Sequence, residues 1–188
     1  MAEVRLERAR AEFGDAVRVL RHPYILKLEE NPHASFSYDR HGHWATAARA
    51  EPGLTFNLWT GGSRYPVSSL PALIAARAAA RQGDEADDRY HWALFRAFFQ
   101  ENRDLSDPGV LRQVAARTGL ALGRFDADVA GSAVRDEVLA AHLEAVDRFR
   151  VEVVPTVIVG ARRFEGAAAE EAYRAALGSA MQSPGASG

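Results

Sequence analysis

Apolar positions recur along the chain with two periods, and the changes between them mark its elements. In residues 3–13, Val4, Leu6, Ala9 and Phe13 fall near one face, with arginine and glutamate elsewhere. That spacing predicts an amphipathic helix stopped at Gly14. In residues 16–26, Val17 and Val19 alternate with arginine, and Tyr24, Ile25 and Leu26 follow the Arg21-His22-Pro23 break. Period two predicts a β-strand, and the proline keeps the following segment extended. Residues 29–66 are irregular, with Pro32, Pro52 and Pro66 among scattered aromatics (Phe36, Tyr38, Trp44, Phe56, Trp59, Tyr65) and one short helix through Trp44–Arg49.

From Ser68 the period is helical for about eighty residues. Ser68 or Ser69 caps a helix over Leu70–Ala80 with Pro71 in its first turn, Asp84 caps a second, and Ser106 a third that ends before Gly119. Residues 125–149 supply one or two more, with Val134, Val138, Leu139, Ala141, Val146 and Phe149 as core candidates. The β-branched run Val151–Val159, broken by Pro155, then predicts a strand. Gly160-Ala161 forms a turn, Arg162–Glu165 a second strand and residues 167–177 a last helix, with 179–188 as a flexible tail. Strands split by a helical block point to an α/β fold rather than a bundle.

Composition narrows the chemistry. The chain has 188 residues, 25 acidic and 23 basic, and a net charge of −2, which gives nucleic acid no bulk electrostatic attraction. No apolar run is long enough to span a bilayer, and no secretory signal opens the chain, so the expected location is cytoplasmic. Cysteine is absent, which removes thiolate nucleophiles, disulfides and cysteine-based metal sites from these residues. Lysine occurs once, as Lys27, beside 22 arginines. His41 and His43 with Asp39 could meet a metal, but the spacing fits a solvated loop better and no metal site is expected. Ser63 lacks the flanking glycine and the preceding strand of a nucleophile elbow, and no glycine-rich phosphate loop is present. The stripe Leu94, Phe95, Phe98 and Phe99 reads as core before it reads as the floor of an apolar groove. His22, beside Pro23, is a candidate general base, against the plainer reading of a partly buried, hydrogen-bonded histidine. No cofactor is called for.

The segment Val153-Val154-Pro155-Thr156-Val157-Ile158-Val159-Gly160, with Arg162-Arg163-Phe164-Glu165-Gly166-Ala167 after it, resembles the closing half of a thioredoxin fold. Leu70-Pro71-Ala72 to Gly83, Leu94–Phe99, Asp104-Leu105-Ser106 and Gly119-Leu120 resemble the helical insertion of the DsbA family. The similarity is strongest to its cytoplasmic branch, which includes FrnE-like proteins and resembles 2-hydroxychromene-2-carboxylate isomerases and kappa-class glutathione transferases. Residues 5–26 resemble that family's first helix and second strand.

The resemblance implies a thioredoxin-like domain over 1–65 and 151–178, with an all-helical insertion over 66–150. It implies a cis Val154–Pro155 bond and substrate contacts from Val154, Pro155 and Thr156, with His22 nearby. It implies an extended peptide or a glutathione-like small molecule as partner. The family's Cys-x-x-Cys, or the serine of its isomerase branch, would precede Met1. The chain as written is therefore expected to be redox-inert, with three origins open: a mis-called or truncated start, a natural binding module, or a glutathione-linked isomerase. Without a first strand, the edge at 16–21 would be bare, which predicts marginal stability or a homodimer through it.

Overall fold

The computed structural model describes residues 1–27, 30, 33, 43–51, 53–59 and 64–182. These residues divide into two compact units, Met1–His22 with Ala145–Gly188, and Pro23–Glu144. Among the described residues there are eight α-helices and one two-stranded sheet.

The first unit opens with α1 (Ala2–Ala11) and a short 3-10 turn at Gly14–Ala16. It closes with the hairpin β1 (Thr156–Val159) and β2 (Arg162–Glu165), then α8 (Glu170–Gln182). Leu6 and Ala9 of α1 are buried against Tyr173 and Leu177 of α8, so each helix hides one stripe in the other. Phe13, Val17, Val19, Val157, Val159 and Phe164 pack around that cluster. At the rim, Arg174 of α8 donates to Glu12 just past α1 at 2.6 Å and to Glu170 of its own helix at 2.7 Å, and Arg5 of α1 donates to the Ala168 carbonyl at 3.1 Å. Helix α8 starts at Glu170, three residues later than the pattern predicts, and runs on to Gln182. Ser179 keeps its place in the helix by donating its hydroxyl back to the Ala175 carbonyl at 2.9 Å.

The strand expected at 16–21 is not formed. Val17–Arg21 is extended and alternates as the sequence says, Val17 and Val19 inward, Arg18 and Leu20 outward. It lies in no ladder, because pairing needs a neighbouring strand as well as a pattern, and β1 and β2 make up the sheet among the described residues.

The second unit holds α2 (His43–Ala50), α3 (Leu70–Ala80), α4 (Asp84–Phe99), α5 (Pro108–Arg117), α6 (Leu122–Ala130) and most of α7 (Ser132–Asp147). Its main core joins Ala75, Ala78 and Ala79 of α3, Tyr90, Leu94 and Ala97 of α4, Leu111 and Val114 of α5, and Phe125 of α6. Alanines on α3 let α4 approach closely, and the large rings of Tyr90 and Phe125 fill the space beside them, 5.7 Å apart. Burial pushes the Tyr90 hydroxyl above its ordinary pKa, and it donates to the Leu111 carbonyl at 3.1 Å. Of the stripe on α4, Leu94 is buried in this core, Phe98 and Phe99 are half-buried and pack on Trp44 at 5.6 and 5.0 Å, and Phe95 stacks on Phe99 at the surface.

Two helix starts move by one residue. Asp107, not Ser106, caps α5, its carboxylate accepting from the Gly109 and Val110 N–H groups at 2.7 and 3.4 Å. Ser106 is instead engaged with Asp104 and accepts from the Val67 N–H at 3.3 Å. Gly83 at φ +117° caps α4, and Asp84 becomes its first residue, where its charge still meets the positive end of the helix.

Candidate functional site

The site is built where α7 hands the chain to β1. Helix α7 ends at Asp147, and a helix end leaves carbonyls without partners. Here Arg150 takes the left-handed region, φ +50°, and the Val151 N–H reaches back to the Ala145 carbonyl at 2.9 Å. Just past the helix end, the Phe149 and Arg150 carbonyls accept from a single side chain. Arg163 of β2 donates Nη1 to Phe149 and Nη2 to Arg150 at 2.8 Å, while its Nε donates to the Glu165 carboxylate at 2.9 Å. All three bonds are donated by one rigid, planar guanidinium fork.

Beyond this clamp come Val153 and Val154, 46% and 37% exposed, which is unusual for adjacent valines. The Val154–Pro155 peptide bond is cis. Thr156 donates its hydroxyl to the Val153 carbonyl at 2.5 Å, closing the turn into the strand. The hairpin register pairs Thr156 with Glu165, Val157 with Phe164, Ile158 with Arg163 and Val159 with Arg162. Gly160, at φ +57°, takes the first position of the two-residue turn, where hairpin geometry calls for a positive φ.

The register also decides which main-chain groups are left over. The Pro155 carbonyl accepts from the Gly166 N–H at 2.8 Å, so this pair is hydrogen-bonded across the hairpin. Antiparallel pairs alternate, which makes Val157 and Val159 the next residues bonded inward. Thr156 and Ile158 therefore turn their N–H and C=O groups to the open side of β1, where no described strand lies. The Ile158 side chain is 46% exposed on the face away from the core. Residues 153–161 carry no charged side chain, so this edge lacks the usual guard against an added strand.

Of the residues singled out in the sequence, Val154, Pro155 and Thr156 meet here, as one continuous stretch. His22 is exposed rather than partly buried, with its ring edge-on to Phe149 at 6.1 Å. That contact places it beside the clamp, not on the Val154–Thr156 stretch. The residue that the sequence does not single out is Arg163. Of the remaining candidates, His41 and Ser63 lie outside the described residues, and His43 opens α2. Among the described residues no group of three His, Cys, Asp or Glu side chains could hold a metal ion. No helix among them is long and apolar enough to cross a membrane.

The DSBA-like thioredoxin domain matches residues 2–178, nearly the whole chain. The chain belongs to that family. Its solved structural neighbours carry the same fold. A probable DsbA oxidoreductase from Streptomyces coelicolor superposes with a TM-score of 0.77 at 23% identity, covering 100% of this chain and 86% of that one. The cytosolic disulfide reductase DsbM from Pseudomonas aeruginosa, solved with GSH, gives 0.73 at 18%, covering 96% and 92%. The uncharacterized protein YwbO of Bacillus subtilis is 28% identical over 88 residues, 47% of this chain and 44% of that protein, so the match spans under half of this curated relative. The DSBA-like chain thus has the expected α/β, thioredoxin-like fold with its helical block, and residues 1–188 contain no cysteine.

Proposed function

We propose that residues 1–188 act as a DSBA-like domain that holds an extended polypeptide without thiol chemistry of its own. Thiol–disulfide exchange passes through a mixed disulfide, formed when a thiolate attacks a sulfur. With no cysteine in these residues, that bond cannot be made by them. What they keep is a binding wall, and the observation that carries the reading is the open, uncharged edge of β1.

An extended chain laid along this edge receives N–H donors and C=O acceptors from Thr156 and Ile158, as in strand addition. The exposed side chains of Val153, Val154 and Ile158 meet alternate side chains of the guest. Three or four main-chain bonds at about 0.5–1.5 kcal/mol each support only weak, reversible holding. His22, through Phe149, lies at the margin of this wall.

The test is fluorescence anisotropy with a labelled hexapeptide of alternating threonine and valine. Binding that disappears when alternate peptide nitrogens are methylated supports main-chain pairing; no binding, or equal binding of the methylated analogue, refutes it. Glutathione, itself a short peptide and present in the Pseudomonas aeruginosa structure, is the small-molecule arm of the same assay. Light scattering shows whether a second copy takes the edge instead. Insulin reduction by the purified chain should not exceed background.

A further inference from the structure

We infer that Arg163 is the positioning residue of the binding wall, resting on the peptide-holding reading above. The wall has two attachments. Its far end is held by the ladder of β1 with β2 and by the bond from the Gly166 N–H to the Pro155 carbonyl. Its near end follows α7, where Arg150 stands at a positive φ that an L side chain rarely adopts. A strained residue beside two partnerless carbonyls does not by itself fix where Val151–Val154 go. Arg163 supplies the missing restraint, because its fork spans the Phe149 and Arg150 carbonyls together.

The direction of the guanidinium is itself fixed. Arg163 sits opposite Ile158 in the register, on the strand that pairs with the wall, and Glu165, two residues along the same strand face, accepts its Nε–H. Strand alternation puts residues 163 and 165 on one face by necessity. The anion thus turns the fork toward the end of α7, and the same side chain ties β2 to the approach of β1. Phe149, whose carbonyl is held, also carries the contact to His22, so the margin of the site is set by the same clamp. A lysine cannot reproduce this, since a single ammonium has no planar pair of donors.

The experiment compares the full chain with Arg163→Ala and Arg163→Lys, reading hexapeptide affinity by anisotropy and amide hydrogen exchange over residues 151–158. Losing charge-assisted bonds at the wall should weaken binding about tenfold in Arg163→Ala, with a smaller loss in Arg163→Lys. Exchange should quicken at Val151, whose N–H is bonded to the Ala145 carbonyl, and at Val157 in the ladder, while the amides of α3 and α4 keep their protection. Millimolar guanidinium chloride, far below denaturing concentrations, should restore binding to Arg163→Ala, which a general loss of stability would not permit. If the wild-type chain binds and Arg163→Ala binds equally well, the positioning role is refuted and the peptide reading stands. If the wild-type chain binds no peptide, the peptide reading falls, and unchanged exchange at Val151 and Val157 in the variant refutes the positioning role as well. Should Arg163→Ala fail to fold, Arg163→Lys decides: unchanged affinity and exchange there overturn the inference.

Discussion

Replacing Tyr173 tests how firmly the hairpin is braced from below. The side chain is fully buried between α1 and α8, among Leu6, Ala9 and Leu177. Its ring meets Phe164 edge-on at 5.1 Å, and its hydroxyl accepts from the Ala168 N–H at 3.3 Å. Phe164 is the register partner of Val157, so the ring supports the middle of β1 from the core side. Deleting a buried aromatic ring costs about 3–5 kcal/mol, as lost transfer energy plus the cavity left behind. Of this, the ring–ring contact accounts for about 0.5–1.5 kcal/mol. Tyr173→Phe keeps the ring and removes only the hydroxyl, at about 1 kcal/mol. Urea unfolding followed by far-UV circular dichroism, with exchange at Val157 and Val159 as the local readout, should therefore separate the variants by at least about 2 kcal/mol. A Tyr173→Ala cost below about 1 kcal/mol, or equal costs for both variants, would refute this account of the brace.

Glu137 sits between Arg77 and Arg81, and hydrogen bonds from Arg77 first, then Arg81, hold its carboxyl below the ordinary carboxylate range. A lowered folded-state pKa means stability that is full above the ordinary carboxylate range and lost as the pH falls through and below it. The side chains are about one-third exposed, so a double-mutant cycle of Arg81→Ala and Glu137→Gln should give only about 0.5–1 kcal/mol of coupling at neutral pH. That coupling should shrink in acid and in high salt, and a coupling that grows in acid would contradict the sign. Asp107→Ala removes the cap of α5, with expected loss of about 1 kcal/mol by chemical denaturation; Asp107→Asn should recover most of it. Equal losses for the alanine and asparagine variants would show that the carboxylate does not act as a cap.

Most helices were legible because their signals are local. Pro71, Gly119 and the acidic start at Asp84 mark ends whatever the rest of the chain does, and α3 matches its predicted bounds residue for residue. Choosing between Ser106 and Asp107 was not local, since Ser106 is drawn away by Asp104 and Val67. Val17–Leu20 shows the limit of periodicity: the inward and outward faces are as read, yet a ladder depends on what lies alongside. The start of β1 could be found from Val154-Pro155-Thr156, which is contiguous. Arg163 could not, because in sequence it is one arginine of a polar strand, and its meaning comes from the Phe149 and Arg150 carbonyls placed within its reach. The exposure of His22 differs from the plainer reading of a partly buried histidine, since its surroundings are set by Phe149, 127 positions away in sequence.

The contacts near the start and end of Pro23–Glu144 bear on the order of assembly during synthesis. Ile25 donates its N–H to His142 Nδ1 at 3.2 Å, and the rings of Tyr24 and His142 meet at 5.1 Å, so the two ends of this unit are fastened together. The other unit draws on both termini, with Arg5 bonded to Ala168 across 163 positions of chain. Closing so long a loop from an open coil carries an entropic cost that grows with the logarithm of its length. Once residues 23–144 have emerged from the ribosome and folded, the tether between α1 and the C-terminal hairpin contracts to the short stretches outside that clasp. The slow, long-range pairing is thereby converted into a nearly local one, and α1 waits for its partner helix only as long as the last forty residues take to be made.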